Sequence, residues 1–153
     1  LESWSQLYAL PSRELKSLAD LHGKRVSLLR GSIQQRNFEQ MARGLGFEVQ
    51  VVTTQSLADA FALAAAGETD AVVSNKFFGE EQHRAYGLEP TPIVFQVAQL
   101  HFASRKGHSA PLLDAIDTRL DAWRDQVDSP YYHAISRWTK REQVRSVCSR
   151  WRA

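Results

Sequence analysis

Apolar and polar positions follow two alternating periods along most of the chain. Residues 24–31, KRVSLLRG, hold a short apolar run closed by a glycine, and Phe38, Met41, Ala42 and Leu45 then recur at helical spacing across 34–45. That pattern predicts strand, tight turn and helix. Gly46 stops the helix, and FEVQVVTT (47–54) has the alternation and β-branched content of a second strand. The unit then recurs. Ser56 with Asp59 resembles a capping box, and Leu57, Ala60, Phe61 and Ala64 make one apolar face. Gly67 ends that helix, and DAVVSN (70–75) reads as a buried strand. A third helix is predicted from about Lys76 to Tyr86, stopped by Gly87.

Strands that alternate with helices across short turns imply an α/β domain, with a parallel sheet covered on both faces. TPIVFQVAQLHFASRK (91–106) adds one or two further strands along the sheet edge. From Ser109 the period changes. Leu113, Ile116, Leu120 and Trp123 form a helical stripe, with Ser109 as the expected cap and Pro111 in the first turn. SPYY (129–132) starts a second helix containing Ile135 and Trp138, and a third amphipathic piece carries Val144, Val147 and Trp151.

Composition adds little to this picture. The 153 residues are 43% hydrophobic and 24% charged, ordinary for one globular domain. Nineteen basic and 17 acidic residues give a net charge of +2 and are spread along the chain, which argues against a nucleic-acid partner. The local exception is Lys140, Arg141, Arg145, Arg150 and Arg152 against the one acid Glu142, either a solvated helix face or an approach to an anionic membrane. The single Cys148 excludes an intrachain disulfide. No apolar run is long enough to cross a bilayer and no signal-like segment opens the sequence. With Leu1 in place of Met, the chain is expected to be a piece of a longer one.

Candidate chemistry concentrates at two strand ends. Arg30, Gly31, Ser32, Ile33 and Gln34 lie where a strand gives way to a helix, and free N–H groups at a helix start favour an anion. Gly31 permits close backbone approach. The Ser32 hydroxyl either caps the helix or turns to a ligand carboxylate. Asn75, Lys76, Phe77 and Phe78 follow the DAVVSN strand, and ligands of open α/β sheets bind beyond the carboxyl ends of strands. Asn75 offers a donor and an acceptor or else serves as an N-cap; Phe77 supplies an apolar wall, while Phe78 is expected in the core. A triad of Ser32, His101 and Asp70 has no supporting spacing, and the five histidines form no metal-ligand motif. No enzyme activity, metal or cofactor is expected. Trp4, Trp123, Trp138 and Trp151 are expected to pack against a neighbouring lobe or subunit.

The segments SLADLHGKRVSLLRGS (17–32), SLADAFALAAAGETDAVVSN (56–75), YGLEPTPIVF (86–95), LHFASRKGHSAPLLDAIDTRL (100–120) and SPYYHAISRW (129–138) resemble the family 3 solute-binding proteins. More narrowly, they are similar to the extracytoplasmic sensor version of bacterial membrane-bound histidine kinases and diguanylate cyclases, over residues 3–138. The resemblance implies a periplasmic-binding-protein-like lobe with a mostly parallel five-stranded sheet flanked by helices. It sets the lobe over 1–108, with hinge strands at 3–10 and 99–106, and C-terminal helices over 109–153. Amino-acid binders of the family hold the ligand carboxylate at a Gly-Ser like Gly31-Ser32. They hold the amino group with an acidic residue where this sequence has Asn75, a departure that weakens an amino-acid ligand against another carboxylate.

The implied function is a periplasmic sensor domain within an inner-membrane protein, closing on a small molecule and relaying that closure to a signalling segment. Other readings stay open: a free transport-type binding protein, a LysR-type effector domain, an enzyme on the same clamp fold, or a lobe serving dimerisation only. The absent first lobe would leave hinge strands and apolar helices unpartnered, a surface that a homodimer would cover.

Overall fold

The structure, a computed structural model, describes residues 2–139, so Val144, Val147, Trp151 and the basic run from Lys140 lie outside the described residues. Two compact units are present, Glu2–Gln99 and a helical unit from Leu100 onward.

The first unit is built on five strands: β1 (Glu2–Ala9), β2 (Arg25–Leu29), β3 (Gln50–Thr54), β4 (Ala71–Asn75) and β5 (Glu89–Gln99). Helices α1 (Ile33–Leu45), α2 (Leu57–Ala65) and α3 (Lys76–Gln82) connect them, with a 3-10 turn at His83–Tyr86 before β5. Each helix expected before Ser109 is therefore present; Gly46 ends α1, Gly67 follows the end of α2 and Gly87 ends the 3-10 turn after α3, all three in the left-handed conformation that glycine adopts without strain. The strand order is β3-β2-β4-β1-β5.

The sheet is mostly parallel, as expected, with four of its five strands running one way, and is mixed through β1 alone. β2 runs parallel to β3 and β4, whereas β1 is antiparallel to both β4 and β5. The parallel half is built by two crossovers, α1 from β2 to its neighbour β3 and α2 from β3 back past β2 to β4. β1 arrives from outside that series and inserts between β4 and β5, a pairing that no local period announces. β5 closes the sheet as an edge strand, where Pro90 and Pro92 are tolerated because one side of the strand needs no ladder partner. Of the strand expected over 99–106, only Gln99 is in strand; residues 100–105 have no regular structure.

Apolar side chains cover both faces of the sheet. On one face Leu7, Val26, Leu28, Phe38, Val73 and Ile93 form a buried cluster, with Phe95 set 5.8 Å from the Phe38 ring. On the other, Tyr8, Ala60, Phe61, Ala64, Val72 and Leu88 pack together, and Phe78 meets Phe61 edge-on at 5.3 Å, the core role expected of it. Ser27 interrupts the apolar run of β2, yet it is fully buried. Its hydroxyl is satisfied against the Ala60 carbonyl at 2.8 Å and the Thr69 hydroxyl at 3.1 Å, so a small polar residue ties β2 to α2.

The helical unit contains α4 (Ala110–Arg124) and α5 (Pro130–Thr139). Leu113, Ile116, Leu120 and Trp123 are the half-buried stripe of α4, as their spacing predicted. Ser109 sits at the cap position but differs from expectation. Its φ of 65° is left-handed, its side chain makes no cap bond, and its carbonyl accepts from Leu112 N at 3.1 Å and Leu113 N at 3.0 Å.

Candidate functional site

Parallel pairing fixes where the two candidate loops lie. Val26 stands beside Ala71 and Ser27 beside Val72, so β2 and β4 end on the same edge of the sheet, and the same offset sets Arg30 level with Asn75. β1 runs the other way. Its pairing of Ser5 with Asn75 brings the amino-terminal half of β1 to that edge, and Ser5 pairs on its far side with Phe95. Residues Arg30, Gly31, Ser32, Ile33 and Gln34 thus follow β2, and Asn75 and Phe77 close or follow β4, at the same edge of the sheet.

Gly31 has a φ of 70°, and nothing lies within 4 Å of where its Cβ would be. Backbone conformation, not crowding, therefore calls for glycine at this turn. Ser32 is the N-cap of α1: its hydroxyl oxygen accepts from Gln35 N at 3.1 Å, while Gly31 N donates to Gln35 Oε1 at 2.8 Å. Arg30 is exposed and its Nε donates to Thr53 Oγ1 at 3.3 Å. Ile33 is 55% exposed at the first position of the helix, and Gln34 is half-buried. Asn75 caps α3 through Oδ1, which accepts from Phe78 N at 3.0 Å. Each cap uses one acceptor atom. The Ser32 hydroxyl proton and the Asn75 amide N–H groups are donors that the caps do not employ.

Two further side chains meet at this edge. The Lys76 Nζ sits 3.9 Å from the centroid of the Trp4 ring, and Trp4 Nε1 donates to Gln6 Oε1 at 3.2 Å. Lys76 follows Asn75 directly and was visible as a neighbour. Trp4 is placed only by the antiparallel register of β1, which no spacing in the chain encodes. Beside them Ser5 Oγ donates to Gln96 Oε1 at 3.4 Å, where a bulge in β5 puts Gln96 at a φ of 52°.

The unsupported triad does not assemble. Asp70 immediately precedes the amino end of β4, the opposite end of the parallel strands from Ser32, and its carboxylate is held by Arg13 at 3.0 Å and by Arg25 N at 2.8 Å. Among the described residues no group of three or more His, Cys, Asp or Glu side chains is arranged to hold a metal ion.

The family model described as NMT1/THI5 like matches residues 2–103. The chain belongs to this family. Among curated proteins none matches it. Among solved structures, this NMT1/THI5-like chain is similar to an ancestral arginine-binding protein bound to glutamine, at 26% identity and a TM-score of 0.64, covering 90% of this chain and 60% of that one. It is also similar to a histidine kinase sensor domain with similarity to periplasmic binding proteins, at 25% identity and a TM-score of 0.63, covering 90% and 59%. The second substrate-binding domain of a putative amino-acid ABC transporter from Streptococcus pneumoniae matches in fold, at 16% identity and a TM-score of 0.73, covering 91% and 62%. The chain therefore has a solute-binding-protein-like fold, shared by transport binding proteins and sensor domains, and spans about three fifths of the length of these relatives.

Proposed function

We propose that the chain is the second lobe and C-terminal helices of an extracytoplasmic, two-lobed sensor domain in a membrane-anchored protein. A small molecule binds between this lobe and a first lobe, and the helices after Ser109 carry the closure onward. The observation that carries the proposal is the convergence of Arg30–Gln34 and Asn75–Phe77 on one edge, at the carboxyl ends of neighbouring parallel strands. Ser32 and the α1 N-terminus hold a carboxylate, Asn75 offers its amide, and Phe77 walls the site. The hinge crossings in this scheme are β1 and the irregular segment 99–106 that follows β5.

Calorimetry on the whole parent protein, with the common L-amino acids and small carboxylates as titrants, tests it. At least one should bind with a Kd of about 100 μM or tighter. S32G should weaken that ligand roughly tenfold while leaving the melting temperature nearly unchanged, because glycine is a tolerable N-cap but lacks the hydroxyl. No binding from any titrant, with signalling intact, counts against the proposal. It favours a lobe that serves assembly only, a reading consistent with Ser32 and Asn75 both being engaged as caps.

A further inference from the structure

We propose, on the footing of the binding edge above, that Gln96 is a further ligand-binding residue of that edge, donating its side-chain amide to an oxygen of the small molecule. β5 carries one extra residue where Ser3 and Ser5 of β1 pair with Ala98 and Phe95, and Gln96 lies in that bulge with a φ of 52°. The left-handed region crowds any residue that has a Cβ, and a bulge position of this kind favours glycine. Backbone conformation alone therefore argues against glutamine here, so the position is held for its side chain. The one hydrogen bond that side chain makes does not account for the strain. Ser5 Oγ donates to Gln96 Oε1 at 3.4 Å, well beyond the usual O–H···O length of about 2.8 Å.

Register places Gln96 beside residues already assigned to the edge. Ser5 pairs with Asn75 on one side and with Phe95 on the other, so Gln96 directly follows a row that Asn75 shares. The Phe38 and Phe95 rings, 5.8 Å apart, fasten α1 to that same row. Gln34 precedes Phe38 by one helical turn, which sets it on the same face of α1 and nearer the helix start, and it is half-buried. Neutral amides from α1, β4 and β5 thus border one end of the sheet. The Asn75 cap uses Oδ1 and the Ser5 bond uses Gln96 Oε1, so the amide N–H groups of both residues have no partner among the described residues. Such groups recognise a carboxylate, carbonyl or hydroxyl oxygen through hydrogen bonds that need no charge on the protein.

Calorimetry on the whole parent protein, with the tightest-binding titrant among the common L-amino acids and small carboxylates, tests the assignment. Q96E retains an acceptor for Ser5 but has no N–H to donate, and should weaken that titrant about tenfold. Q96M is uncharged and of similar length, and should weaken it comparably, which separates the lost donor from the added charge. Both variants should melt within about 3 °C of the parent, since the Ser5 bond they keep or lose is long. S5A removes the same bond from the other side and should leave the affinity within about threefold, whereas a residue that only fixes the β1–β5 register would make S5A as damaging as Q96E. An affinity within about twofold of the parent for Q96E or Q96M, an S5A loss equal to theirs, or melting lowered by more than about 5 °C in both overturns this inference and leaves the binding proposal standing. If no titrant binds the parent protein, the inference and the binding proposal fall together.

Discussion

At the scale of single residues, Tyr8 shows how burial becomes a measurable property. Its ring is fully buried on β1 between Phe61, 5.7 Å away, and the stacked His83 at 5.8 Å. Gly79 passes directly over it, and a Cβ there would fall on the phenol ring, so α3 can lie on β1 only through glycine. Burial, helped by the Glu80 carboxylate, pushes the Tyr8 hydroxyl up to about 12 from its ordinary 10.0. The folded state thus holds this proton more tightly than the unfolded state. The resulting stability is complete below pH 10 and is lost as pH rises from 10 to about 12. Denaturant unfolding of wild type and Y8F at pH 9 and pH 12 should show the difference between them shift by about 2 kcal/mol in favour of Y8F. An unchanged difference would mean that the phenol is hydrated in the native state. Neither the Gly79 crossing nor the Tyr8 environment was legible in the sequence, because each depends on contacts between residues about 70 positions apart.

At the scale of elements, legibility divides along the same line. Strands β2, β3 and β4 and helices α1, α2 and α3 were readable because each is specified by its own period and punctuation, such as Ser56 capping Asp59 N at 3.1 Å. Ser32 and Asn75 were readable as residues that begin helices, but capping and ligand binding require the same side chains, so the sequence leaves the two roles superimposed. The place of β1 was not readable, and with it went Trp4 and the mixed sheet. Asp70 ties these independently specified elements together. Its carboxylate takes Arg13 at 3.0 Å from the turn after β1 and Arg25 N at 2.8 Å from the start of β2, while Arg13 also donates to Gly67 O at 3.2 Å. The Asp70 side chain is only 10% exposed, so losing it leaves the Arg25 N–H unpaired with little water to replace the bond and takes from Arg13, one-third exposed, its carboxylate partner. D70A should lower unfolding free energy by about 2–3 kcal/mol, seen as a lower urea midpoint with an unchanged slope. A loss under about 0.5 kcal/mol would show the pair to be as weak as an exposed surface bridge.

At the scale of the whole molecule, the division after Gln99 makes a structural claim that proteolysis can examine. Every residue from Gln99 to Leu112 is exposed, and between β5 and α4 the chain has turns but neither helix nor strand. Arg105 and Lys106 lie in this stretch, whereas basic residues of the first unit such as Arg13 and Arg25 are fixed through Asp70. Cleavage requires a length of backbone to enter the protease in extended form, which exposed irregular segments allow and hydrogen-bonded strands do not. Brief trypsin treatment should therefore cut within the described residues first after Arg105 or Lys106, as read by mass spectrometry. The fragment ending there retains all five strands and both apolar clusters of the sheet. Its cooperative thermal transition should survive within a few degrees of the intact chain, since the buried contacts that produce it lie in Glu2–Gln99. If the nicked sheet instead melts without cooperativity, the helices after Ser109 supply part of its core, and the second lobe ends beyond Gln99.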